Sequence, residues 1–414
     1  MLIRQNILAR LAAIAAFFLV VLTASSESKG NFPINSPKTV EEKIRPDSID
    51  SAIVVRLQDL CENEIFERTQ LGLYVYDLTC DTLLFEKGSR QLLRPASCEK
   101  LITAITALDL LGTDYKYSTS LYVDGNINDS ILNGNVYVRA GFDPRFGRDD
   151  LHAFVQALAE KGIKEISGDV VFDVSMKDTL SYGWGWCWDD DVPRLTPLLY
   201  NGKDKFKEAF AELMAEEGIS LKGTMQTGRL STEAHILVTR THTIDQILLQ
   251  MMKESDNLYA ESLFYQIAAQ SGRAYAGRER AAAYVKQLIR RVGLEPSHYQ
   301  IADGSGLSLY NYVTTELVGN LLRYAYTHNE IYLHLMPSLP VAGDDGTLRN
   351  RMRNSTARDK VFAKTGTVEG VSSLSGYATA ANGHLLCFSI INQGLRYHST
   401  GRNFQDRICN ALTR

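Results

Sequence analysis

Long apolar runs are scarce in this chain of 414 residues, and after the stretch 11–22 none approaches the roughly 18 that a membrane-spanning helix requires. A permanent membrane anchor is not expected, and any membrane contact is peripheral. The chain also lacks a basic block. Its 44 Lys and Arg stand against 48 Asp and Glu, a net charge of -4, which argues against nucleic acid or an anionic membrane surface as partner. No Cys-X-X-Cys or His-Glu-X-X-His occurs, so neither a metal nor another cofactor is expected. Gly-X-Ser-X-Gly is missing too, which removes the usual setting of a serine nucleophile served by a His/Asp pair. Only 10 residues are Pro while 45% are hydrophobic, excluding disorder and repetitive fibres. Six Cys offer no spacing that singles out a disulfide pairing.

What is present begins with a leader. Residues 1–24 place Arg4 and Arg10 before the apolar run 11–22 and small residues after it, the order of a secretory signal peptide. The protein is therefore expected to be periplasmic or otherwise extracytoplasmic. Residues 25–46 are polar and aperiodic and read as a linker. A first segment, 47–114, holds a helix at 47–62, a hairpin of strands 71–77 and 82–86, and a helix at 95–111 with Pro95 in its first turn and Gly112 beyond its end. Over 115–240 the texture changes to short strands (120–123, 135–140, 168–174) between Gly/Asn/Asp turns, with a helix at 149–161, the mark of an insert. The last segment, 241–414, returns to helices at 244–253 and 258–270, then strands 361–366, 372–379 and 385–392 and a final helix from about 400. Early and late strands that bracket helices give an α+β fold with one antiparallel sheet covered by helices and split in sequence by the insert.

Three short motifs carry chemistry. Ser97-Cys98-Glu99-Lys100 puts a hydroxyl and an amine three apart on one helix face. Ser255-Asp256-Asn257 lies between two helices, and Lys364-Thr365-Gly366 lies on a strand. A serine hydroxyl is a weak nucleophile until a base takes its proton, and Lys100 is the base within reach. An ordinary lysine is only about 0.04% neutral at pH 7, so this role needs a pKa near 7, about 4 kcal/mol of destabilisation of the ammonium. Burial, a helix N-terminus and a second ammonium at Lys364 all act in that direction. Ser255 is placed to pass the proton to a leaving amine, and the Asn257 amide to hold a peptide backbone. Lys364 and Thr365 suit a terminal carboxylate, and the N–H groups of Ser97 and Thr367 suit an oxyanion. Cys98, next to the nucleophile, should point away from Lys100 and be buried.

With these motifs in this order, the sequence resembles the class C low-molecular-mass penicillin-binding proteins, the D-alanyl-D-alanine carboxypeptidase/endopeptidase family. Further likeness runs through 94–97, 255–261, 303–308, 364–367, 132–138, 141–144 and 186–190. The resemblance implies a serine β-lactamase/D,D-peptidase-like fold with one inserted, mostly β domain. It implies an acyl-enzyme at Ser97, peptidoglycan stem peptides as substrate and β-lactams as covalent inhibitors. It also implies a substrate-binding group of Thr365, Gly366, Thr367 and Asp190, the last toward the free amine of the stem peptide's diamino acid; an exposed acidic turn is the alternative for Asp190. Trp184, Trp186 and Trp188 are expected to pack. A β-lactamase-like hydrolase and a catalytically silent cell-wall binding protein are the competing functions. Glu316, in the Glu-Leu-X-X-Asn echo 316–320, is expected to be a first-turn helix residue after Thr314 rather than a deacylating base.

Overall fold

A computed structural model describes residues 48–414, positions 191 and 193 excepted; the leader expected over 1–24, the linker over 25–46 and Asp47 lie outside the described residues. The chain opens with α1 (Ser48–Cys61), then the hairpin β1 (Gln70–Asp77) and β2 (Thr82–Lys87), turning at Asp81 with φ 51°. A 3-10 turn (Ala96–Cys98) leads into α2 (Glu99–Leu111), which ends at Gly112, φ 85°. Residues 116–243 supply β3 (Lys116–Val123), β4 (Asn126–Asn128), β5 (Ile131–Asn133), β6 (Val136–Arg139), α3 (Arg148–Glu160), β7 (Glu165–Ile166), β8 (Val170–Asp173), α4 (Phe206–Glu216), β9 (Ser220–Leu221), β10 (Met225–Thr227) and β11 (His235–Thr243). There follow α5 (Ile244–Lys253), α6 (Asn257–Ala269), α7 (Arg278–Arg291), α8 (Thr315–Thr327), α9 (Asn329–Ser338), β12 (Val361–Val368), β13 (Val371–Thr379), β14 (Leu385–Gln393) and α10 (His398–Leu412).

The expected antiparallel sheet has the order β12-β13-β14-β1-β2, with every pair antiparallel. Strand β1 shows why a central strand reads as an unbroken apolar run. Leu71, Leu73 and Val75 enter a core shared with Ile53 and Leu57 of α1 and Phe404 and Ile408 of α10, while Tyr74 and Tyr76 enter a second core on the opposite face. Successive side chains of a strand alternate, so both faces are covered. That second core joins α2, α6 and α8 through Leu101, Ile105, Phe264 and Leu317. Helix α8 approaches the sheet closely at Gly319, where a Cβ would fall 2.2 Å from a Tyr74 ring carbon. Helix α2 is buried around most of its circumference, as an internal helix must be.

Within 115–240 the structure adds what local pattern did not show. Five strands pair as β10-β8-β6-β3-β11, with β8 parallel to both β6 and β10, and four short strands form β4-β5-β7-β9. A second helix, α4, packs Phe206 and Phe210 against Phe146, Phe154 and Phe172 in a core of their own. Phe142, Leu195 and Leu199 from the same stretch are instead part of the core around α2 and α6. Among the described residues no helix is long and apolar enough to cross a membrane.

Candidate active site

The helix expected over 95–111 starts as a 3-10 turn, because Pro95 has no N–H to give and Ala96 takes a left-handed φ of 47°. This turn presents Ser97, half-buried, at the edge of the cleft, and Lys100 lies in the first turn of α2 with 0% exposure. Lys100 Nζ donates to Ser97 Oγ at 3.0 Å, to Asn257 Oδ1 at 2.7 Å and to the Ser305 carbonyl at 2.9 Å. Asn257 is held by its neighbour: Asp256 is the N-cap of α6 and accepts from the Tyr259 N–H, while Ser255 sits strained at φ 61°. Lys364 Nζ, also fully buried, donates to Ser255 Oγ at 2.8 Å and to the Thr365 carbonyl at 2.7 Å. These five residues thus form two hydrogen-bonded groups, Lys100 with Ser97 and Asn257, and Lys364 with Ser255, drawn from three segments.

Strand β12 is the edge strand of the sheet, and its first half is covered by a bridge from Val341 to Phe362. Its Ala363 N–H points outward to the Pro340 carbonyl, so by the two-residue alternation the N–H groups of Thr365 and Thr367 point outward too. Gly366 lies against the turn that carries Ser97: a Cβ there would be 2.8 Å from the Ser97 nitrogen and 2.9 Å from the Pro95 carbonyl. Only glycine allows this approach. Thr365 Oγ1 donates to Thr347 Oγ1 at 2.8 Å, a partner that no sequence motif announced. Cys98 is buried, turned from Lys100 to the Lys364 carbonyl at 3.2 Å, and burial holds its thiol pKa up.

Electrostatically the two lysines are poised for proton transfer. Burial brings Lys100 down to about 8, opposed by the nearby carboxyls of Asp303 and Glu261. Lys364 is lowered well below the usual lysine range, by burial first and then by Lys100. Behind them, burial raises Glu261 to about 8 and Glu99 well above the carboxylate range. Glu99 and Glu261, together with the 303–308 loop, were not given roles from sequence. Glu261 Oε1 accepts from the N–H groups of Gly304 and Ser305, which fixes the carbonyl that holds Lys100. Asp303 organises the rest of that loop by accepting from the Gly306 and Ser308 N–H groups and from Asn311.

The insert reaches this loop through aromatic side chains. Trp186 Nε1 donates to Asp303 at 2.9 Å, and Trp184 packs on Tyr310 with Arg278 over its ring. Both pack as expected. Trp188 does not: it is 96% exposed, because it lies on the 187–190 turn. Asp190 closes that turn by accepting from the Cys187 N–H at 2.6 Å, so its carboxylate has a local structural partner. Next to Asn257 a cavity of about 650 Å³ opens between the 256–259 stretch and Arg145, Val192, Asn201 and Gln250. Glu316 is a first-turn residue of α8, after the N-cap Thr314, and pairs with Arg90. No disulfide joins any of the six cysteines.

A family model described as D-Ala-D-Ala carboxypeptidase 3 (S13) matches residues 53–197 and 195–414. The chain belongs to the S13 family. It is 24% identical over 432 residues to the D-alanyl-D-alanine carboxypeptidase DacB of Haemophilus influenzae, covering 84% of this chain and 89% of the relative. To the D-alanyl-D-alanine carboxypeptidase of an Actinomadura strain it is 26% identical over 439 residues, covering 81% and 80%. The crystal structure of penicillin binding protein 4 from H. influenzae superposes with a TM-score of 0.78 at 22% identity, over 86% of this chain and 98% of that one. A penicillin G acylated predatory endopeptidase of Bdellovibrio bacteriovorus superposes at 0.54 and 16% identity, over 83% and 94%. The antiparallel sheet flanked by helices is therefore the family fold, and the S13 chain is a serine-type D-Ala-D-Ala peptidase.

Proposed function

We propose that the protein is exported and acts on peptidoglycan stem peptides through an acyl-enzyme at Ser97, as carboxypeptidase, endopeptidase or both, and that β-lactams acylate the same serine. The observation that carries this reading is Lys100 Nζ held between Ser97 Oγ and Asn257 Oδ1 in a buried setting. The two buried lysines disfavour carrying two charges at once. A substrate carboxylate seated beside Lys364 and Thr365 favours the ammonium form of Lys364, and the reaction draws on protein whose Lys100 is neutral, the fraction that grows as pH rises through about 8. Lys100 Nζ then takes the Ser97 proton as Oγ attacks the penultimate D-Ala carbonyl, and the oxyanion is held by the Ser97 and Thr367 N–H groups. As the peptide bond breaks, the proton on Lys100 is relayed through Ser255 to the departing amine, which restores both Lys100 and Ser255; neutral Lys100 then takes a proton from the water that releases the acyl group and returns it to Ser97 Oγ. Asn257 orients the acyl donor. Asp190, on the turn that Trp186 ties to the loop of Asp303, supports recognition of the stem peptide's diamino acid only if the turn opens to free its carboxylate.

Mass spectrometry after incubation with penicillin tests the acyl-enzyme: the adduct belongs on Ser97 and is absent from Ser97→Ala. Digestion of purified muropeptides separates loss of one D-Ala from cleavage of cross-linked dimers. No adduct and no product would leave the silent binding protein as the better reading. Rapid nitrocefin turnover without peptide cleavage would favour the β-lactamase.

A further inference from the structure

At the end of β1 where the chain turns into β2, metal-ligating side chains from three distant segments meet. Asp77, the last residue of β1, is fully buried. Its Oδ1 accepts from the Thr79 and Cys80 N–H groups at 2.7 and 3.0 Å, which locks the carboxylate and leaves Oδ2 directed at His384 Nδ1, 2.7 Å away. Cys80 Sγ lies 3.8 Å from the same ring nitrogen. Asp50 Oδ1, from the first turn of α1 and 2% exposed as a residue, lies 3.8 Å from it as well. One oxygen, one sulfur and one nitrogen, from Asp77, Cys80 and His384, all fall within 4.8 Å of one another.

An imidazole nitrogen makes one strong in-plane bond, yet two carboxylates and a thiol converge on this one. Asp50 Oδ1 already accepts from Asn382 Nδ2 at 3.4 Å, while one cation would bond the ligand atoms of Asp77, Cys80 and His384 together. Tetrahedral zinc, with Zn–N of about 2.0–2.1 Å and Zn–S of about 2.3 Å, holds a nitrogen and a sulfur ligand about 3.6 Å apart. The 3.8 Å between His384 Nδ1 and Cys80 Sγ needs little change. The donor set of thiolate, imidazole and carboxylate selects a borderline-soft transition ion over magnesium or calcium, which require oxygen. The backbone N–H bonds to Asp77 Oδ1 are the outer support that such ligands commonly have.

We propose that Asp77 Oδ2, Cys80 Sγ and His384 Nδ1 bind one zinc ion, with Asp50 within reach of the fourth position. On binding, Cys80 loses its S–H proton to solvent and His384, whose Nδ1–H donates to Asp77 Oδ2 at 2.7 Å, shifts to the Nε2–H tautomer; zinc then takes the thiolate, carboxylate and Nδ1 lone pairs, and the nitrogen and oxygen part to about 3.3 Å. No electron changes hands. The ion fastens α1, the β1–β2 turn and the start of β14, and it takes no part in chemistry at Ser97.

The test uses the purified full chain after chelation, titrated with zinc by calorimetry and with cobalt as a spectroscopic probe. One equivalent binds, a thiolate-to-cobalt charge-transfer band appears, and zinc raises the melting temperature. Cys80→Ser removes the band and weakens zinc binding by about 100-fold or more. Cys187→Ser, at the exposed thiol on the 187–190 turn, changes neither. Should His384→Ala fail to fold, Cys80→Ser at a half-buried turn position decides the matter alone, with penicillin labelling of Ser97 reporting an intact fold. A wild-type protein without the band, a band that survives in Cys80→Ser, or equal zinc affinity in the two would overturn the proposal.

Discussion

Gly366→Ala isolates the contact between β12 and the nucleophile turn. The added Cβ would stand 2.2 Å from Ser373 Oγ, 2.8 Å from the Ser97 nitrogen and 2.9 Å from the Pro95 carbonyl, where ordinary contact begins at 3.4 Å. Ser373 cannot turn aside without cost, since its hydroxyl donates to that same Pro95 carbonyl at 2.6 Å. Two of the three obstacles are backbone, so the strand and the turn must separate. The Thr367 N–H then moves relative to the Ser97 N–H, and an oxyanion can no longer be held by both. A misplacement of about 1 Å costs roughly 100-fold in rate, or about 3 kcal/mol of transition-state stabilisation. The assay is stopped-flow acylation by a fluorescent penicillin, with denaturant unfolding run beside it to separate misplacement from loss of fold. Acylation within threefold of wild type in a folded Gly366→Ala protein would refute the assigned contact.

Four further outcomes follow from the site. Because Lys100 must be neutral to act and titrates at about 8, acylation should rise about tenfold between pH 7 and pH 9 and then level; a flat profile would remove Lys100 as base. Glu261→Gln keeps an acceptor for the Gly304 and Ser305 N–H groups but removes a carboxyl that ionises near 8 and then favours the Lys100 ammonium, so the midpoint of that rise should move below 8. Thr347→Ala deprives Thr365 Oγ1 of its partner and should raise KM for a D-Ala-D-Ala peptide several-fold with little change in kcat. Asp256→Ala removes the α6 N-cap and should cost about 1 kcal/mol in denaturant unfolding.

The parts of the fold that were legible in the sequence were those whose signal is local. Strands 361–366, 372–379 and 385–392 and the helices 95–111 and 244–253 came out within a few residues, because uninterrupted apolar runs and terminal Pro, Gly or Thr mark them. Ser97, Lys100, Ser255, Asn257 and Lys364 were legible because each motif is contiguous and the fold has only to bring three short pieces together. Helix α4 was missed although Phe206, Phe210, Leu213 and Met214 keep helical spacing, since the turn-rich composition around it dominated. The parallel pairing of β6, β8 and β10 has no local signature; it is decided by which apolar faces meet. The Ser305 carbonyl could not be found either, because a main-chain oxygen leaves no trace in residue identity. Nor could the group of Asp77, Cys80 and His384, which no fixed spacing links.

The pairing of β1 with β14 has a consequence for how the molecule comes into being. Gln70 and Gln393, 323 positions apart, bond side chain to side chain where these two strands meet. Until nearly the whole polypeptide has been delivered, β1 and β2 are a lone hairpin with a sticky border, and closing so long a loop is slow. The site shares this order of assembly, because Lys364 and Thr365 ride on β12 and reach Ser255 only when the last three strands join β1.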